Sequence, residues 1–83
     1  VAQAQEAILA FTRYYPGKLH FAVVANGTNK ANLAKWREFA KGWKDIVTLV
    51  ESETNVGYGA GSNMGLDALR RMGGFDLYGV TND

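Results

Sequence analysis

Three short apolar runs, each preceded by a stretch with helical spacing, constrain this chain more than any other feature. Leu19-His20-Phe21-Ala22-Val23-Val24-Ala25 is apolar at successive positions apart from His20. A strand wetted on one side would alternate, so a run apolar on both faces belongs inside a parallel sheet with helices above and below. Ile46-Val47-Thr48-Leu49-Val50 is a β-branched second run, and Phe75 to Val80 is a third. Apolar positions recur at helical intervals in the segments before each run. Ala4, Ala7, Ile8, Phe11 and Tyr15 do so over residues 2–15, and Pro16-Gly17 ends that helix. Leu33, Trp36, Phe39, Ala40 and Trp43 are the core-facing set of a second helix expected from Asn32. A third is expected from Gly61 to Met72, stopped by Gly73-Gly74. The order α-β-α-β-α-β predicts an α/β fold: a three-layer, Rossmann-like parallel sheet joined by right-handed crossovers.

Composition narrows the function classes. Eighty-three residues suit one small domain, and 47% hydrophobic residues suit a packed core rather than disorder. A net charge of +1 gives no field that would recruit nucleic acid. The absence of cysteine removes disulfides, thiolate metal sites and thiol nucleophiles, and it fits a reducing, cytoplasmic compartment. No apolar run approaches the roughly 20 residues of a membrane span. The chain opens directly in a helical pattern and stops on Thr81-Asn82-Asp83, just after a strand-like run. We therefore expect residues 1–83 to be a single partial domain truncated at both ends, with a bare sheet edge open to self-association.

In open parallel sheets, ligands lie beyond the carboxyl ends of the strands. That rule selects Asn26 to Asn29, the segment Glu51 to Gly61 expected as a loop, and Thr81 to Asp83. All three are rich in Gly, Asn or acids. The second runs into Asn55-Val56-Gly57-Tyr58-Gly59-Ala60-Gly61-Ser62-Asn63-Met64-Gly65, with four glycines in nine residues from Gly57. Glycines permit close backbone approach, and a helix N-terminus favours an anion such as a diphosphate. A merely flexible connection is the plainer account. The dinucleotide fingerprint fails, because its last glycine would fall on Ser62 or Met64, and no Gly-Lys-Ser/Thr exists for a P-loop.

The pattern Asn55-x-Gly57-Tyr58-Gly59-x-Gly61-x-Asn63-x-Gly65-Leu66, followed by a strand ending Thr81-Asn82-Asp83, resembles glycosyltransferase family 2. Val23-Val24-Ala25-Asn26-Gly27-Thr28 is similar to that family's strand ending in Asp-Asn-Gly-Ser/Thr. The resemblance spans Leu19 to Asp83. It implies a GT-A fold and metal-dependent transfer of a sugar from a nucleotide-sugar donor to a saccharide or lipid-linked acceptor, at or near the cytoplasmic membrane face. It implies that Asn26, Gly27 and Thr28 border base and ribose, and that Asn55, Gly57, Tyr58 and Asn63 shape the nucleotide pocket. Asp83 would be the first acid of a motif holding Mg²⁺ or Mn²⁺, with a partner acid within two residues beyond it. Ala25 stands where the family usually has an acid, and Ser62 where many relatives have Arg. The family's first strand and its catalytic base are absent, so these residues alone are expected to be inactive.

Other residues read more plainly. His20 suits a satisfied structural histidine, and Trp36 and Trp43 suit core packing better than sugar stacking. Tyr58 could stack on a base or lid the sheet edge. Lys30, Lys35, Arg37, Lys41 and Lys44 suit a solvated helix face. The rival reading is a non-enzymatic, flavodoxin-like α/β module that binds a partner or an anion without a divalent cation.

Overall fold

The computed structural model describes residues 1–83. The elements follow the expected order: α1 (Ala2–Tyr14), β1 (Leu19–Asn26), α2 (Lys30–Gly42), β2 (Val47–Ser52), α3 (Tyr58–Met72) and β3 (Leu77–Asn82). The three strands form one parallel sheet in the order β2-β1-β3. Every residue of β1 is buried, as its unbroken apolar run requires of a central strand.

Strand periodicity sorts the two faces. Leu19, Phe21 and Val23 of β1 join Val47 of β2 beneath Ile8 of α1 and Trp36 of α2 in one apolar cluster. Ala22 and Val24 point the other way, toward Gly65 of α3. The sheet is thus sandwiched between α1 and α2 on one side and α3 on the other. The core is thin. Only 14 of 83 residues are buried, and the surface of 5391 Å² exceeds the roughly 4,900 Å² expected of a compact chain of this mass.

Several element boundaries differ from the sequence expectation. Helix α2 begins at Lys30 rather than Asn32, because the Asn29 side chain accepts the Asn32 N–H at 2.9 Å and caps it. Strand β2 runs on to Ser52 and α3 starts at Tyr58, so the expected Glu51–Gly61 loop shrinks to residues 53–57. Strand β3 lies two residues later than expected, at Leu77–Asn82. Polar residues extend β2 and β3 because pairing with β1 overrides local composition. The apolar pattern also overreached: Ala7 is exposed, Phe11 is largely exposed while meeting Phe21 edge-on, and Trp43 is half-exposed at the end of α2.

His20 is a structural residue, as its strand context suggested. It is 1% exposed and stacks on Phe75. The Asp45 carbonyl can only accept, so Nδ1 donates to it at 3.1 Å and Nε2 accepts from the Thr48 hydroxyl at 2.8 Å. Desolvation by burial lowers its pKa below the ordinary histidine value, against a smaller upward pull from the Asp45 carbonyl. On the surface, Arg37 of α2 grips Glu51 of β2 with Nη2–Oε1 at 2.6 Å and Nε–Oε2 at 3.1 Å. That pairing holds the Glu51 carboxyl below its usual range.

Two outcomes follow from this packing. A histidine with a depressed folded pKa favours the native state above its unfolded pKa of about 6.5, and that advantage disappears as pH falls through the lower folded value. The melting temperature should therefore fall between pH 7 and pH 5.5, and His20→Gln should flatten that slope; an unchanged slope would show that His20 is not the group responsible. A Cβ on Gly65 would meet Val80 Cγ1 at 2.7 Å and Val24 Cγ2 at 3.1 Å. Gly65→Ala should accordingly cost about 1–3 kcal/mol by forcing α3 off the sheet, read by denaturant unfolding.

Candidate functional site

The strand order places a natural crevice. In a doubly wound sheet of order 2-1-3, the chain leaves adjacent strands for opposite faces between the first and third strands. Here α2 covers one face and α3 the other, so the carboxyl ends of β1 and β3 border the opening. Asn26, Asn55, Tyr58, Asn82 and Asp83 line a depression of about 200 Å³ there. Four of these five were given individual site roles from the sequence; Asn82 was selected only as part of the Thr81 to Asp83 segment.

Asn26 ties the site together. It is 8% exposed, and its Oδ1 accepts the Val56 N–H at 2.8 Å. Its Nδ2 donates to the Gly57 carbonyl at 3.0 Å and to Asn82 Oδ1 at 3.1 Å. Asn82 Nδ2 in turn donates to the Tyr58 carbonyl at 3.0 Å. One amide on β1 thus holds the residues 53–57 turn, the start of α3 and the end of β3. The resemblance put Asn26 against the base; in the fold its hydrogen-bonding groups are engaged internally, and it shapes the crevice rather than reaching into it.

Gly27 follows in the left-handed region at φ +67°, and a Cβ there would meet the Asn55 backbone N at 2.7 Å. Only glycine fits both conditions. The Thr28 hydroxyl donates to the Asp83 carbonyl at 3.0 Å. Asn55 Oδ1 accepts the Gly57 N–H at 2.8 Å, an Asx turn that shapes the approach to α3. Asn63 is exposed on the second turn of α3 and does not line the depression.

The glycines of α3 divide by role. Gly57 sits before the helix at φ +89° and provides no side-chain cap. The first bond into the helix is Gly61 N–H to the Gly57 carbonyl, so the N–H groups of Tyr58, Gly59 and Ala60 have no protein acceptor. Gly61 is buried because a Cβ would fall 2.5 Å from Asn82 Nδ2 and 2.7 Å from Asn26 Nδ2. Gly61 and Gly65 therefore serve helix–sheet contact, not ligand approach. Gly59 has open space around it. Tyr58 is 80% exposed, so its ring does not lid the sheet edge and stands free beside the crevice.

Asp83 is held at four points. Its N–H donates to the Val24 carbonyl at 2.8 Å, and its carbonyl accepts from Asn26 N–H at 2.9 Å as well as from Thr28. Its Oδ2 accepts the Trp36 indole N–H at 2.7 Å, and Oδ1 has no protein partner. Trp36, read from the sequence as core packing in preference to sugar stacking, is 0% exposed and through this bond links the core to the crevice.

The donor set limits what metal the site could take. No three acids or histidines gather anywhere in the chain. The amide oxygens of Asn26, Asn55 and Asn82 already accept hydrogen bonds. An ion held by protein ligands alone does not fit. Mg²⁺ or Mn²⁺ taking most of its ligands from a diphosphate and water fits, because such ions need only one or two carboxylates and Asp83 offers one free oxygen. No helix is long and apolar enough to cross a membrane.

No protein-family model, no curated protein and no solved structure matches this chain.

The two roles assigned to the glycines are separable by substitution. Gly59→Ala should be neutral or stabilising by up to about 1 kcal/mol, from helix propensity alone. Gly61→Ala should destabilise by about 1–3 kcal/mol, because the Asn26–Asn82 pair must give way. Equal effects of the two substitutions in chemical denaturation would contradict the division.

Proposed function

We propose that this chain is the nucleotide-binding part of a metal-dependent glycosyltransferase, transferring a sugar from a nucleoside-diphosphate donor to a saccharide or lipid-linked acceptor. One observation carries the reading: the segments that resemble glycosyltransferase family 2 converge at the β1–β3 crevice. There an uncapped helix N-terminus adjoins a single carboxylate with a free oxygen. The free N–H groups of Tyr58, Gly59 and Ala60 suit phosphate oxygens, and the helix dipole favours their charge. Tyr58 offers an exposed ring on which a base can stack. Asp83 Oδ1 would supply one protein ligand to a divalent cation bound together with the diphosphate. Such a cation stabilises the charge on a departing nucleoside diphosphate. On this reading the site follows GT-A chemistry, and transfer needs an acid and a base that residues 1–83 do not assemble.

A second reading has an observation of its own. The order β2-β1-β3 is that of a flavodoxin-like sheet. If the strands were instead the second, third and fourth of a Rossmann order 3-2-1-4, as a missing first strand implies, another strand would separate β1 from β3. Here those two pair directly from Leu19↔Leu77 to Val24↔Asn82. On that count the chain is a small anion-binding module with no use for a divalent ion.

Calorimetric titration of nucleoside diphosphates with and without Mn²⁺ separates the two. The transferase reading expects binding strengthened by Mn²⁺, with Asp83→Asn abolishing the enhancement. Gly59→Ala, which leaves the fold intact, should weaken binding about tenfold or more, since its Cβ tilts back toward the free N–H groups. Binding indifferent to Mn²⁺ would transfer support to the anion module, and no binding at all would remove both.

A further inference from the structure

We propose that Trp36 is a positioning residue for the Asp83 carboxylate, fixing which of its oxygens a cation can take. The inference rests on the nucleotide-binding reading and goes beyond it, because Trp36 lies on α2, outside all three carboxyl-end turns. The indole Nε1–H is the only polar group of a side chain that is otherwise core. At 0% exposure it requires an acceptor, since a buried N–H without one is costly. The acceptor it has is Asp83 Oδ2, at 2.7 Å, the short distance typical of a hydrogen bond to a charged oxygen.

The geometry leaves little freedom at Asp83. Its backbone is locked to β1 through Val24 and Asn26 and to the following turn through Thr28, and its side-chain torsion is then set by the indole. With Oδ2 engaged, Oδ1 is left to bind one cation through a single oxygen. The ring cannot follow a shifting carboxylate, because Phe39 meets it edge-on at 5.8 Å and it packs in one cluster with Ile8 and Val23. Rigid outer partners of this kind orient metal ligands, and their loss typically lowers metal affinity 10–100-fold. The arrangement also makes Trp36 a reporter: an ion at Asp83 lies near its indole N–H, while Trp43 sits at the far end of α2.

The test is an NMR titration of the whole chain with Mn²⁺ and a nucleoside diphosphate, following both indole N–H signals. The Trp36 signal should broaden at lower Mn²⁺ than the Trp43 signal. Trp36→Phe should bind the diphosphate alone as the native chain does, yet bind Mn²⁺ at least about tenfold more weakly in its presence. The dispersion of its amide spectrum shows whether the variant folds. If it does not fold, the order of broadening in the native chain decides. The proposal fails if Mn²⁺ binding is lost in Asp83→Asn but unchanged in a folded Trp36→Phe, or if Trp43 broadens first. If Asp83→Asn binds Mn²⁺ as well as the native chain does, the nucleotide-binding reading of Asp83 falls, and this inference with it.

Discussion

Everything in this fold depends on β1 being buried along its whole length. A strand with helices on both faces and partners on both edges has no exposed backbone, so each of its residues has a fixed neighbour. Its apolar residues divide by parity into two half-cores, Phe21 and Val23 under α1 and α2, Ala22 and Val24 under α3. The two polar residues of the strand, His20 and Asn26, lie at opposite ends and are both fully hydrogen-bonded. Burial compels that satisfaction, and it turns each into a structural tie. His20 fastens the amino end to β2; Asn26 fastens the carboxyl end to β3 and to the start of α3.

The same constraint explains why so few glycines in the segment Gly57 to Gly65 are available to a ligand. Helix α3 must lie close on a strand whose side chains are small, and Gly61 and Gly65 make that approach possible. A residue with a Cβ at either position would collide with Asn26 and Asn82 or with Val80 and Val24. Gly57 supplies a backbone conformation. Gly59, with an ordinary helical backbone, faces open space beside the N–H groups that the helix itself cannot satisfy. A glycine-rich sequence is therefore three different physical solutions in succession, and only one bears on recognition.

Much of the architecture was legible in the residues. The unbroken apolar run Leu19–Ala25 required a central parallel strand, the α-β-α-β-α-β order required helices on both faces, and Gly73-Gly74 ended α3 as expected. The carboxyl-end rule also picked out residues that the fold brings together, since Asn26, Asn55, Tyr58 and Asp83 line one crevice. Boundaries were less legible. Ser52, Tyr58, Thr81 and Asn82 carry no strand or helix signal strong enough on their own, and pairing or packing against β1 recruited them.

What the sequence determined by itself was the set of elements and the end of the sheet where polar groups gather, because periodicity and turn chemistry are local properties. Only the tertiary structure decided which polar groups remain available. Asn26 is consumed by Val56, Gly57 and Asn82; Asn63 points away; Trp36, apolar by pattern, donates to Asp83. These outcomes depend on contacts between residues 30 to 56 positions apart in the chain. No spacing rule reaches that far, since a hydrogen bond across a sheet is set by register and helix position rather than by neighbouring residues.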